Sequence, residues 1–190
     1  MEDSILNFIN GEISKYIIPD IQRLNALRPQ GSEETAGCTI PTAMLLFATT
    51  DLFGYLIRDD CRKPKLEDTK GNLKVLFSHP IGNFPSEYTD RLDTLVYLFR
   101  HGLMHQVFPK MAGIHKNGTN SPLFSFFNNL DHLNVDRFSN DVIEMISNFK
   151  SKLLEPERSD LCGQMSRRLN KMAENDFHEM SCKRKAEQKL

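Results

Sequence analysis

Residues 40–59, IPTAMLLFATTDLFGYLIRD, decide the fold class. Met44, Leu45, Leu46, Phe47, Leu52, Phe53, Tyr55, Leu56 and Ile57 point in nearly every direction of a 3.6-residue helix, so no face remains for water. Such a helix belongs at the centre of a bundle. Thr39 is positioned to cap it, with Pro41 in its first turn. Thr49, Thr50 and Asp51 interrupt the apolar run, which argues against a bilayer span.

Flanking segments supply the surrounding helices. Residues 2–27 carry Ile5, Phe8, Ile9, Ile13, Tyr16, Ile17, Ile21 and Leu24 at helical spacing, with Pro19 expected to kink or divide the helix. RPQGSEETAGC, residues 28–38, reads as a loop, and 60–71 as a charged connection. A short helix is expected over 72–79 and a longer one from Ser86 to about Phe108, ended by Pro109. Ala112–His115, the turn Lys116-Asn117-Gly118-Thr119 and Leu123–Phe127 suggest a hairpin, and residues 132–138 a third short strand. Ser139 is a plausible N-cap for a helix over 140–154, and Pro156 separates it from a polar helix over 158–180. The whole reads as one mainly α domain: a helical bundle with a small β insertion around 112–138 and a flexible basic tail from about 181.

Composition narrows the function. With 24 Lys+Arg against 25 Asp+Glu the net charge is −1, too little for general duplex binding. The basic runs Arg167–Lys171 and Lys183–Lys185 read as a solvated helix face and a tail. The acidic start MEDSILNFINGE lacks a signal-peptide pattern, so a cytoplasmic location is expected. The four cysteines match no zinc spacing and read as free thiols. No GxxxxGK[ST], GxGxxG or GxSxG is found, and no cofactor is implied.

One stretch suggests a specific chemistry: LFRHGLMHQVFPK, residues 98–110. At about 100° per residue, Leu92, Leu95, Val96, Phe99, Leu103 and Val107 form a bundle-facing stripe. A second face runs from Arg100 through Tyr97, Met104, Phe108 and His101 to His105, with Asp93 and Thr94 on it. Histidine moves protons near neutrality, and the guanidinium fork matches phosphate. Together they suit metal-free phosphodiester cleavage of RNA, whose 2′-OH supplies the nucleophile. The same residues also suit a structural interaction face, with Arg100 paired to Asp93 or to another acid. His101 and His105, spaced i,i+4, could share a metal with His115 as third ligand, although the Glu of H-E-x-x-H is missing. The aromatic run Phe124, Phe126, Phe127 invites base stacking, though strand alternation would place half of it in the core.

Arg100-His101-Gly102-Leu103-Met104-His105 resembles the R-x4-6-H motif of HEPN domains, with a polar residue directly after the arginine. The resemblance implies a helical bundle, a homodimer whose motif helices face each other, and a metal-independent endoribonuclease of toxin or defence type. It also implies Arg100 and His105 as the catalytic pair with His101 in support, and Tyr97, Met104 and Phe108 on the substrate side. RNA is then the substrate, a protein antitoxin or inhibitor a possible partner, and a membrane is not involved. Non-catalytic HEPN relatives imply the alternative, a helical interaction or RNA-binding module.

Overall fold

The computed structural model describes residues 3–27, 38–58, 68–106 and 112–187. It is mainly helical, with a small three-stranded sheet. The first helix runs unbroken through three pieces: α1 (Asp3–Phe8), a π-helical segment (Ile9–Ile17) and α2 (Ile18–Ala26). Pro19 does not divide it. The proline falls in the first turn of α2, where its missing N–H removes no α-helical bond. The wide π turns run up to it, with the Ile18 N–H reaching back five residues to the Ile13 carbonyl. The Ser14 hydroxyl donates to the Ile9 carbonyl at 2.7 Å, over the same span.

α3 (Thr39–Ile57) is the central helix, packed against α2 and against α4 (Thr69–Ser78), as well as the later helices of the chain. By length and composition it could also cross a membrane, but 61% of its most apolar 18-residue window is buried within the fold. Its cap differs from expectation: Thr39 is the first helical residue, and Cys38 holds the N-cap position with φ 53° and no side-chain cap. Thr49 and Thr50 sit in this apolar helix without orphaned hydroxyls, because each donates to the carbonyl four residues back, at 2.8 and 2.9 Å. α4 begins three residues earlier than its apolar pattern suggests, because Asp68 accepts from the Gly71 N–H at 3.1 Å and caps it. Gly54 lets α4 approach: a Cβ there would lie 2.2 Å from the Asn72 carbonyl oxygen.

The expected continuous helix from Ser86 is broken into α5 (Glu87–Asp90), α6 (Leu92–Thr94), a second π-helical segment (Leu95–Arg100) and α7 (His101–Gln106). Arg91, at φ −111°, separates the first two. α5 is anchored by the buried Tyr88, whose hydroxyl donates to Asp141 at 2.9 Å, while Arg137 Nε donates to both oxygens of that carboxylate. Burial, then the Asp141 charge, push the Tyr88 hydroxyl well above its ordinary pKa.

The sheet corrects the expected hairpin. β1 (Ala112–His115) and β2 (Phe124–Phe127) do not pair; β3 (Leu130–Asn134) lies between them, parallel to β1 and antiparallel to β2. The tight turn is Asn128-Asn129, both at positive φ, which asparagine tolerates better than most residues. The Asn117-Gly118 segment is instead drawn onto the next helix, the Gly118 N–H donating to Asp136 at 2.7 Å. Residues 135–138, expected in a strand, are helical, because Asn134 caps α8 (Val135–Lys152), accepting from the Asp136 and Arg137 N–H groups. Ser139 lies inside that helix with a buried, unpartnered hydroxyl. α9 (Ser159–Glu187) continues helically through the stretch expected as a tail.

Asn134 also donates to the Gly118 carbonyl at 3.0 Å and the Pro122 carbonyl at 3.3 Å, so one buried side chain joins cap and loop. Asn134→Ala therefore loses a cap and releases the Gly118 and Pro122 carbonyls that hold the preceding loop. A loss of about 2–4 kcal/mol is expected in urea unfolding; a loss below about 0.5 kcal/mol would show that water replaces these bonds. Lys116 Nζ ties the sheet to the N-terminal helix by donating to the carbonyls of Leu24, Asn25 and Leu27, an arrangement that satisfies the end of α2.

Candidate functional site

Arg100 ends the second π-helical segment, and the His101 N–H bonds the Val96 carbonyl five residues back. The wide turn sits directly before the arginine, a common setting for functional side chains. The expected two-faced helix is present on the described residues. Leu92, Leu95, Val96, Phe99 and Leu103 are buried, Arg100 and His101 are half-buried, and Asp93 is exposed. Tyr97 is 61% exposed. The backbone of Met104 and His105 follows in α7, whereas their side chains, and the whole of Val107 and Phe108, lie outside the described residues.

Arg100 is not paired to Asp93, which bonds Lys70. Its partner is Asp51 of the central helix, Nη2 to Oδ2 at 3.3 Å, with both side chains under one-fifth exposed (18% and 17%). Asp51 is fixed from its other side: Thr69 Oγ1 donates to Oδ2 and Asn72 Nδ2 to Oδ1, both at 2.8 Å. Asn72 accepts from Arg58 at 3.3 Å, and Arg58 bonds Asp68 at 2.8 Å. Arg58 and the Gly71 N–H together hold the Asp68 carboxyl below the usual carboxylate range. A polar chain thus runs from the cap of α4 to Arg100, with every carboxylate held by several donors.

A cavity of about 270 Å³ opens beside this chain, lined by Phe47, Ala48, Asp51, Leu52, Tyr55, Asn72, Arg100 and Met172. Of the expected site residues, Arg100 lines it, whereas Tyr97 and His101 do not. Asp51 and Asn72 escaped the sequence reading. The available signal was a lone carboxylate in an otherwise apolar helix, since burying a charge requires a partner.

Other histidines are placed differently. Among the described residues, no group of three or more His, Cys, Asp or Glu is arranged to hold a metal. His115 sits on β1 with its ring 5.7 Å from that of His132 on β3. Burial, then the His132 charge, lower the His115 pKa below its ordinary 6.5, against an opposing pull from Asp136. Burial, then Arg158, lower that of His79 in the same way. Both groups favour the neutral form when folded. Their contribution is intact above pH 6.5 and is lost as pH falls through the lowered values. Asp68 acts in a separate window, below its ordinary 3.8. Melting temperature should therefore begin to fall just below pH 6.5, and His115→Gln should flatten that first fall. An unchanged slope in the variant would assign the fall to other groups.

No family model, curated protein or solved structure matches the chain.

Proposed function

We propose that the chain is a HEPN-like, metal-independent endoribonuclease that uses Arg100 and His105, with His101 in a supporting position. One observation carries the reading. Arg100 lines a cavity and is held along one edge by a fixed carboxylate. Among the described residues Asp51 is the partner of its side chain, while a guanidinium carries five N–H donors. An anchored but partly unspent guanidinium suits a phosphate that gains charge in a transition state.

In this reading the 2′-oxygen attacks the adjacent phosphorus as His105 takes its proton, and the P–O5′ bond breaks. Arg100 neutralises the non-bridging oxygens. The leaving 5′-oxygen takes a proton from water, so the products are a 2′,3′-cyclic phosphate and a 5′-hydroxyl, with no oxidant and no metal required. The exposed Tyr97 and half-buried His101 lie on the helix face that a second protomer would cover in a HEPN-like homodimer. The test is RNA cleavage in EDTA, with 2′-O-methyl RNA as the uncleavable control.

A second reading rests on the same ion pair. Asp51 neutralises Arg100 inside a continuous hydrogen-bonded chain, which suits a non-catalytic interaction or RNA-binding module. Purified protein that binds RNA in EDTA and leaves it intact would favour that reading.

A further inference from the structure

We propose that the cavity beside Arg100 is a nucleobase pocket that reads one base next to the scissile phosphate; for its substrate the idea rests on the RNA reading above. Size limits the occupant. At about 270 Å³ the cavity falls just below the ~300–1,000 Å³ of sites for drug-sized ligands. That suits one planar ring system and excludes a stacked dinucleotide.

The walls point the same way. Phe47 and Tyr55 are buried aromatics, Leu52 and Met172 are half-buried, and Ala48 is exposed at the mouth. Aromatic, aliphatic and thioether groups suit the π-faces of a base. Charge decides between base and phosphate inside the cavity. Asp51 contributes a carboxylate to the lining, and a carboxylate repels an anion. It also offers about four lone-pair sites, of which Thr69, Asn72 and Arg100 take three. An acceptor beside the Arg100 donors matches the mixed donor–acceptor edge of a base. The phosphate then stays outside, on the outer N–H groups of Arg100. One arginine thereby touches both the base and the phosphate attached to it.

Calorimetric titration of the full chain with the four nucleoside 3′-monophosphates and with base-free ribose 5-phosphate tests this. At least one nucleotide should bind about tenfold more tightly than ribose 5-phosphate. Ala48→Phe, which fills the cavity from its exposed mouth, should reduce that nucleotide to the ribose 5-phosphate level, and Leu52→Phe should do the same should the first variant fold poorly. Equal binding of nucleotides and ribose 5-phosphate, no binding of either, or undiminished preference in a folded filled variant would overturn the pocket. RNA cleavage in EDTA is scored separately. Base-dependent binding without cleavage defeats the ribonuclease reading alone, and cleavage without base-dependent binding defeats the pocket alone.

Discussion

On the ribonuclease reading, Arg100→Ala is expected to lower RNA cleavage in EDTA by about 10²–10³-fold, the usual cost of removing a preorganised charge from the transition state. His105→Ala is expected to lower it by about 10²–10⁴-fold, the range for a lost general base. Arg100→Lys recovers part of the activity at most, because an ammonium keeps the charge without the planar fork. Asp51→Asn is the informative companion. The amide has a single acceptor oxygen, so it keeps one of the two bonds from Thr69 and Asn72, and it no longer holds Arg100 by charge. Cleavage should therefore fall by less than in Arg100→Ala, with the loss appearing chiefly in kcat. Single-turnover cleavage of a labelled RNA measures all four variants. Equal cleavage by the wild type, Arg100→Ala and His105→Ala would identify a contaminating nuclease and end the ribonuclease proposal.

Gly54→Ala is expected to be strongly destabilising. The added carbon would lie 2.2 Å from the Asn72 carbonyl oxygen and 2.5 Å from its carbonyl carbon. Backbone cannot rotate away as a side chain can, so α3 and α4 must separate. Overpacking costs typically about 1–3 kcal/mol and occasionally more, and a backbone clash belongs at the upper end. At about 3 kcal/mol the melting temperature falls by roughly 6–12 °C for a chain of this size. The same shift draws Asn72 and Thr69 away from Asp51, so whatever depends on Arg100 weakens in the surviving folded protein. Gly11→Ala is the control, since a Cβ there meets nothing within 4 Å. Thermal unfolding of both variants decides the point, and a Gly54→Ala melting temperature within about 2 °C of wild type would show that the helices part freely.

The central helix was legible in the sequence because its apolar residues left no solvent face, and burial of Leu46, Phe47, Phe53 and Leu56 matches that pattern. The buried stripe Leu92, Leu95, Val96, Phe99, Leu103 was legible for the same reason. Local signals competed with tertiary ones elsewhere. Asn117-Gly118 is a stronger hairpin signature than Asn128-Asn129, yet β3 inserts between β1 and β2. Asn134 was hidden as an N-cap because it also ends a strand. The aromatic run does not divide by strand alternation: Phe124 is buried, whereas Phe126, on the same face two residues on, is 70% exposed and Phe127 64%. The Arg100 partner was unreadable because Asp51 lies 49 residues away, and no local periodicity links two helices that meet side by side.

The π turn at Leu95–Arg100 sets a phase. An α-helix would return to the same direction after 3.6 residues, whereas a π turn takes in an additional residue before its N–H finds a carbonyl. The stripe before the turn and the stripe after it are thus two helical registers joined with an offset, and Arg100 stands at the join. Hydrophobic identity at each position fixes what is buried. The residue count between Leu95 and His101 fixes where the arginine points, so in this stretch length itself is part of the site.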